Sequence, residues 1–352
     1  FANTCINDDE TINYSLIETA PQAREWNRKY NDILVHFAKL YRKVRFIGKH
    51  AAGVAVTDGD ILDYTALSIE KDGGVLTAYD LTDLDSINLV KFDILGLKTM
   101  ESIMDLREST GVTVDYREVV KDKRIFKAFR EGNCDGVFQF EKNTVRGILE
   151  AIDCDCFDDL CAANAMNRPG PLQQGMPDMY AANKRDTTEA EQSAYWQYTS
   201  NTYGTIVYQE QVMQICVNLG GMEWSEADEI MKLMKHTDAQ AGGQEVEKRR
   251  KRKAELGEKF ISHAIENGMN EREANALYEN LFSYTFNQGH ATGYSLIAVE
   301  EMFYKIYYPT DYWFAKLKYA RDMSQYRQFA ECAVADGAVV FLPHVNYSTE
   351  GA

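Results

Sequence analysis

The sequence predicts an α+β protein in which a small β-containing segment is followed by a much larger helical region. Residues 1–46 carry apolar side chains such as Leu34, Phe37 and Leu40 at helical spacing. Between residues 48 and 97, short β-like runs are separated by Asp/Gly turns, and they lie at 53–57, 75–79 and 87–95. From about residue 98 to residue 336 helical periodicity dominates, most clearly at 99–107, 209–219, 226–236, 245–267, 271–281 and 293–307. Strand–helix alternation is missing, which disfavours a doubly wound dinucleotide fold.

Length and composition limit the class of protein further. The chain has 352 residues, enough for two or three domains, and its 45% hydrophobic and 26% charged residues are typical of a globular protein. No run approaches eighteen uninterrupted apolar residues, so we expect no membrane span. Seven cysteines, an odd number, indicate reduced thiols in a cytosol-like compartment. The start at Phe1 without a leader suggests a fragment or a processed piece.

Charge is strongly acidic overall but unevenly distributed. The formal net charge is −16, which argues against a simple nucleic-acid coat protein. Two basic groups interrupt this acidity: Arg42 to His50 contains no acid, and Lys248, Arg249, Arg250, Lys251, Arg252 and Lys253 form an unbroken run. An acidic surface with basic stripes suits a protein that binds a polyanion along one channel.

The most informative β-like run is 87–95. Alternation places Val90, Phe92 and Ile94 on one face, available to pack against helices, and Lys91 and Asp93 on the other. One interpretation is an Asp metal ligand beside a Lys that touches a phosphate. The other, which spacing alone favours, is a cross-strand ion pair at a sheet edge.

Other clusters allow two interpretations each. Lys232, Lys235 and His236 share a helix face that would grip a triphosphate or simply face solvent. Residues 284–293 form either a ligand-facing turn displaying Asn287 and His290 or a helix cap with a structural histidine.

Two loops and a cysteine group complete the candidates. Arg168 stands in a rigid Pro/Gly loop, and residues 208–211 open a helix with an apolar core face. Cys154, Cys156 and Cys161 have the wrong spacing for a zinc finger, so we expect ordinary buried thiols.

Several ordered motifs together resemble one family, the C-family replicative polymerases, which are the alpha subunits of bacterial DNA polymerase III. The resembling stretches occur in the family's order and spacing over nearly the whole chain, at residues 48–54, 90–99, 136–141, 167–172, 203–213, 286–291 and 307–309. The resemblance implies a partial palm sheet of nucleotidyltransferase type followed by an all-helical fingers domain. It divides the chain into the thumb's end (1–46), the second half of the palm (47–97), the fingers (98–335) and the start of a following region (336–352).

The resemblance also implies DNA-templated DNA synthesis. In this family three palm aspartates hold two Mg²⁺ ions for attack of a primer 3′-hydroxyl on a dNTP, and Asp93 corresponds to the third. Lys91 and the turn Gly48, Lys49 and His50 would lie beside it. The expected nucleotide contacts of the fingers are Arg168, Lys232, Lys235, Asn287 and His290 for phosphate and nucleotide, and Tyr208, Gln209 and Gln211 for base or sugar. The basic run 248–253 would follow the template backbone or form an exposed helix without a partner.

This sequence departs from the family pattern in ways that bear on activity. The Asp-x-Asp pair that supplies the first two aspartates has no counterpart, and Met231-Lys232 replaces a usual pair of arginines. The turn Asn287-Gln288-Gly289-His290 replaces Asn-Lys-Ser-His. We therefore expect a polymerase that is inactive as the isolated piece, or alternatively a non-catalytic DNA-binding or scaffold relic or a split-polymerase subunit. Expected partners are primer-template DNA, dNTP, the missing palm and thumb segment, a sliding clamp and other replisome subunits, in the cytoplasm of a bacterial or phage-infected cell and without a membrane.

Overall fold

The computed structural model describes residues 21–40, 48–87, 89–235, 243–283 and 285–341, together with Ile17 and Lys43. It is 63% helical and contains two small two-stranded sheets within these residues, which confirms the predicted α+β class. The chain forms two compact units, Phe1–Met100 and Glu101–Ala352. The bounds assigned above to thumb, palm and fingers remain predictions.

The first unit contains every strand of the described residues. Its elements are α1 (Pro21–Leu40), β1 (Gly53–Val56), a 3₁₀ turn (Ile61–Asp63), β2 (Leu67–Ile69), β3 (Val75–Thr77), α2 (Leu81–Ser86) and β4 (Val90–Asp93). Strands β1 and β4 pair antiparallel, and so do β2 and β3. The three predicted β-like runs are confirmed with shorter bounds. Strand β2 was not predicted.

The apolar face of the β1–β4 sheet differs from the expectation. The register pairs Val54 with Phe92 and Val56 with Val90, so these side chains share one face. Val90, Phe92 and Ile94 are 55%, 53% and 71% exposed. The expectation that they pack against helices is therefore wrong for this structure. Alternation shows which side chains share a face of a strand, but not whether another layer covers that face.

Helices joined by loops make up the second unit within its described residues. Its elements are α3 (Lys98–Thr110, beginning in the first unit), α4 (Tyr116–Val119), α5 (Lys123–Arg130), α6 (Asn143–Ala151), α7 (Phe157–Met166), α8 (Pro169–Gln173), α9 (Met176–Arg185), α10 (Thr188–Glu191), α11 (Trp196–Thr199), a 3₁₀ turn (Ser200–Thr202), α12 (Gln209–Asn218), α13 (Trp224–Lys235), α14 (Gly243–Glu266), α15 (Glu271–Asn280), α16 (Gln288–Tyr307), α17 (Pro309–Lys318) and α18 (Met323–Ala335). Five of the six strongest periodic segments coincide with single helices to within about three residues.

Two apolar clusters hold the second unit together. The larger joins α3, α5–α7, α9 and α16–α18 and is rich in fully buried aromatics such as Phe129, Phe140 and Trp313. The smaller joins α12–α15 around Phe260 and Tyr278. Fully burying a side chain of this kind contributes roughly 1.5–3 kcal/mol, so each cluster is a substantial core. None of the helices in the described part of the chain is both long enough and apolar enough to cross a bilayer.

The sixth segment, α16, begins five residues earlier than its apolar periodicity indicated. The Asn287 side chain accepts a hydrogen bond from the His290 N–H at 2.7 Å and caps the helix. The predicted turn therefore ends at Asn287, and His290 lies in the first helical turn. The cap explains the early start, because periodicity reports only the part of a helix that packs against the core.

Candidate functional site

One group of predicted residues comes together on the polar face of the β1–β4 sheet. Lys91 Nζ donates to both carboxylate oxygens of Asp93, at 2.9 and 3.1 Å. His50 Nδ1 lies 3.6 Å from the same carboxylate. Gly53 pairs with Asp93 in the register, and a Cβ added there would meet His50 Nδ1 at 2.9 Å. The missing side chain at Gly53 is what allows the imidazole to approach the carboxylate.

The electrostatics of this group keep Asp93 ionised. The hydrogen bond from the Lys91 ammonium is the largest influence and lowers the pKa of Asp93 below its usual range, with a smaller Coulombic contribution from His50. The Asp93 side chain is 55% exposed, so it remains open to a ligand. Lys91 and Asp93 form an ion pair within one strand, whereas the second interpretation of the sequence was an ion pair across two strands.

In the turn before β1, Lys49 and His50 contact different residues. Lys49 Nζ donates to Glu70 at 2.5 Å, and this hydrogen bond raises the pKa of Lys49. Gly48 is exposed at the start of the same turn. The structure therefore brings His50 to Asp93 but turns Lys49 toward the loop that joins β2 and β3.

A magnesium site at Asp93 would need more oxygen ligands than this face supplies. Mg²⁺ requires near-octahedral oxygen coordination, usually one or two carboxylates with substrate phosphates. Among the described residues, the single group of three metal-ligating side chains within reach of one another is Asp155, Cys156 and Asp159, which does not include Asp93. Asp93 fits as one ligand of such a site and cannot form it alone.

The second group of predicted residues lies at the start of α16 in the second unit. Glu210 accepts from Asn287 Nδ2 at 2.7 Å and from the Gln288 N–H at 2.9 Å. A backbone bridge between Tyr208 and Phe286 joins the same two segments. The starts of α12 and α16 are thus fixed side by side, and the negative charge of Glu210 lies at the positive end of α16.

A row of flat side chains lines this junction. The Arg168 guanidinium lies 4.5 Å from the Phe286 ring centroid, and Phe286 meets His290 edge-on at 5.3 Å. His290 stacks on Tyr294 at 4.2 Å, and Tyr294 stacks on Phe138 at 5.2 Å. We call these five residues the flat row. Burial, and then the nearby Arg168 charge, lower the pKa of His290, so the imidazole is neutral at physiological pH.

Two of the three residues predicted to contact base or sugar, Tyr208 and Gln211, are buried within the second unit. Tyr208 is almost fully buried in the larger core. The Gln211 side chain accepts from the backbone N–H groups of Val207 and Tyr208, both at 2.9 Å, and donates to Thr202 Oγ1 at 2.8 Å. Gln209 is half-buried and donates its backbone N–H to the Phe286 carbonyl. Neither Tyr208 nor Gln211 has a side-chain surface for a nucleotide in this conformation.

The predicted cationic face of α13 is described only in part. Lys232 is exposed and pairs with Asp228 one helical turn away, at 2.8 Å. Lys235 ends the helix, and His236 lies outside the described residues. A pair between such exposed groups is worth little, so Lys232 can exchange Asp228 for another anion.

The basic run 248–253 forms part of α14, and its side chains divide by helix face. Arg252 makes a bidentate contact with Glu229 on α13, and Lys253 pairs with Glu279 on α15. Lys248, Arg250 and Lys251 are exposed. Arg252 and Lys253 therefore join α14 to its neighbouring helices.

The acidic residues around Cys154 and Cys156 bind the side chain of a lysine, Lys184. Lys184 Nζ donates to the Asp153 carbonyl, to Asp155 and to the fully buried Asp159, at 2.7, 2.9 and 2.6 Å. These contacts use all three of its donors. The ammonium thus fills the space among the acidic groups beside Cys154 and Cys156, and burial raises the pKa of Cys156 to about 11.

Sequence reasoning missed three residues of this region. Phe138 and Tyr294 complete the flat row, and Glu210 joins the two helix starts. Tyr294 lies one helical turn after His290, which is a signal that the sequence does contain. Phe138 lies more than 150 residues away along the chain, so only the fold brings it there.

Comparison with known proteins matches both units. The family model described as the bacterial DNA polymerase III alpha subunit finger domain matches residues 96–267. The model described as the bacterial DNA polymerase III alpha NTPase domain matches residues 3–96. The two matches adjoin, and together they span three quarters of the chain.

Curated relatives extend the match. The DNA polymerase III subunit alpha of Aquifex aeolicus is 31% identical over 323 residues, covering 89% of this chain and 27% of that protein. The Thermus aquaticus protein of the same name is 30% identical, covering 94% and 28%. The one from Helicobacter pylori is 31% identical, covering 87% and 25%. This chain spans about a quarter of the length of these relatives. The continuous match across both units shows that the chain belongs to the family of bacterial DNA polymerase III alpha subunits.

Proposed function

We propose that this chain forms part of the nucleotidyl-transfer centre of a replicative DNA polymerase, in which a primer 3′-hydroxyl attacks a dNTP opposite a DNA template. The observation that carries the proposal is the convergence of Lys91 and His50 on the exposed carboxylate of Asp93. The Asp93 carboxylate is ionised and exposed, so it is accessible to a ligand, and family membership supplies the ligand class.

In the first unit, Asp93 would be one ligand of two Mg²⁺ ions. When bound, such ions stabilise the attacking and leaving oxygens of the transfer. Lys91 and His50 orient the carboxylate and keep it ionised. Lys91, whose ammonium has three donors, can hold Asp93 with one and a phosphate oxygen with another. The other carboxylates must come from residues beyond this cluster.

In the second unit, the start of α16 would bind the nucleotide. Arg168, Asn287 and His290 lie together there, and Lys232 and Lys235 add positive charge on α13. Neutral His290 can donate a hydrogen bond to a phosphate or base without repelling the Arg168 charge. Lys248, Arg250 and Lys251 would contact the DNA backbone through their exposed charges.

The partners of the whole protein follow from the same proposal. They are primer-template DNA, dNTP, the palm and thumb segment that carries the other two aspartates, and a sliding clamp with other replisome subunits. The site of action would be the cytoplasm.

The test is primer extension with Mg²⁺ by this chain joined to the segment that supplies the other aspartates. We expect Asp93→Asn to lower the rate at least about tenfold, because even residues behind the metal ligands commonly contribute 10- to 100-fold. Asp63→Asn is the matched control, since Asp63 is an exposed acid in the same unit and lies outside the cluster.

A smaller loss in the Asp93 variant would refute Asp93 as a metal ligand, whereas no primer extension by the unsubstituted chain would favour the second candidate, a DNA-binding scaffold without catalysis. One observation favours that candidate: Lys91 already neutralises Asp93 in this structure. The scaffold would retain DNA affinity in both variants and extend no primer in either.

A further inference from the structure

The turn that contains Phe138 is clamped onto α16 from both ends. Lys305 Nζ donates to the carbonyls of Asn133 and Asp135, at 3.3 and 3.1 Å. Glu301 accepts from the Phe138 N–H at 2.6 Å and pairs with Lys316. Lys305 and Glu301 are both buried, and buried charges rarely occur without such complete pairing. The backbone of residues 133–138 is therefore fixed relative to the helix that bears His290.

Next to the clamp, the backbone holds a non-glycine residue in a strained conformation. Gln139 has a φ of 68°, in the left-handed region that glycine adopts at much lower cost. Its side chain is exposed. Gly136 has a φ of 74° in the same turn, and a Cβ added there would meet the Tyr312 hydroxyl at 2.9 Å. Strain of this kind, kept by a surrounding structure that fixes it, is typical of functional contacts.

The clamp also sets the position of Phe138 in the flat row. Phe138 and Tyr294 stack with their planes 27° apart, and Tyr294 and His290 with theirs 21° apart. All three rings remain partly exposed. A planar, partly open stack whose Phe138 is followed in the sequence by the exposed Gln139 offers the two kinds of group with which proteins contact a nucleobase, a stacking ring and an amide that can bond to the base edge.

We propose that Phe138 and Gln139 form a nucleobase contact site at the end of the flat row. Phe138 supplies a stacking surface, and the Gln139 amide pairs with the edge of the same base. Glu301 and Lys305 are positioning residues that hold this turn in place. The inference rests on the proposed function for the identity of its ligand, a base of either single-stranded DNA or a dNTP.

The test measures binding by the 352-residue chain to a fluorescent single-stranded oligonucleotide and, separately, to each dNTP. We expect Gln139→Gly to weaken binding about 5- to 10-fold while the urea midpoint stays at the wild-type value, because glycine adopts the same φ without strain. Gln139→Asn keeps an amide and tolerates this φ, so it should lose less. Phe138→Leu should weaken binding roughly 5- to 100-fold, as expected for loss of a stacked base. Phe314→Leu, which changes an exposed aromatic outside the row, is the control.

Each outcome decides a different point. Loss in the oligonucleotide arm alone assigns the base to the DNA strand, and loss in the dNTP arm alone assigns it to the incoming nucleotide. Unchanged binding by both Gln139→Gly and Phe138→Leu, with a wild-type chain that does bind, would overturn this site and leave the proposed function standing. A wild-type chain that binds neither ligand would overturn this site, whereas primer extension by the joined protein decides the proposed function separately.

Discussion

Replacing Gln211 with leucine tests whether the start of α12 depends on one buried amide. Gln211 was expected to touch the base or sugar of a nucleotide, but its side chain is only 3% exposed and is bound to the protein itself. Leucine has a similar volume and removes both the acceptor for two backbone N–H groups and the donor to Thr202. The perturbation is therefore confined to hydrogen bonding.

The structure gives the size of the effect. The substitution leaves the buried N–H groups of Val207 and Tyr208 without an acceptor, and each such group costs about 1–3 kcal/mol. We expect the free energy of unfolding to fall by about 2–6 kcal/mol. Gln211→Glu keeps an acceptor for the two backbone N–H groups but buries a carboxylate and loses the donor to Thr202, so we expect it also to lower the free energy of unfolding.

Urea denaturation followed by circular dichroism measures this difference. Gln214→Leu is the control on the same helix, because Gln214 is exposed, and it should stay within about 0.5 kcal/mol of wild type. If Gln211→Leu also stays within that margin, the account of the helix start is wrong. If it unfolds normally but binds dNTP much more weakly, the nucleotide contact originally expected for Gln211 regains support.

The further predictions concern His290 in the second unit and His50 in the first unit. Arg168→Met should raise the pKa of His290 toward its usual value in an NMR titration, because the cation that disfavours the imidazolium is gone; an unchanged pKa would show that burial alone lowers it. Since the native state resists protonation of His290, lowering the pH through the unfolded value of about 6.5 should cost stability, and less so in the Arg168→Met variant. Gly53→Ala should lower primer extension roughly 10- to 100-fold by displacing the His50 ring from Asp93, whereas Gly59→Ala, where a Cβ meets nothing within 4 Å, should not; equal rates in the two variants would contradict a role for His50.

Local chemistry made much of the fold predictable. The long helices were predicted from apolar periodicity, and strands β1, β3 and β4 were predicted from β-like runs between Asp/Gly turns. The early start of α16 was predictable in principle, since Asn287 is a good N-cap residue, but the apolar pattern begins later. Periodicity could not show whether another layer of structure covers an apolar face, because Val90, Phe92 and Ile94 alternate as expected and are nonetheless exposed.

Part of the candidate residues' geometry could likewise be predicted from the sequence, and part could not. Lys91 and Asp93 lie two residues apart on one strand, so their contact could be read from the sequence. The flat row depends on Phe138, Arg168 and Phe286 meeting from three distant segments, which no spacing reveals. The internal contacts of Gln211 were not predicted, because a polar residue in a functional motif can equally complete a helix cap.

The central claim is that Asp93 binds a catalytic metal, and a structure of the joined polymerase with primer-template DNA, dNTP and Mg²⁺ tests it most directly. The account predicts an Asp93 carboxylate oxygen about 2.0–2.1 Å from a metal ion that also touches the dNTP phosphates. A carboxylate still paired with Lys91 and beyond coordination distance of any ion would contradict it.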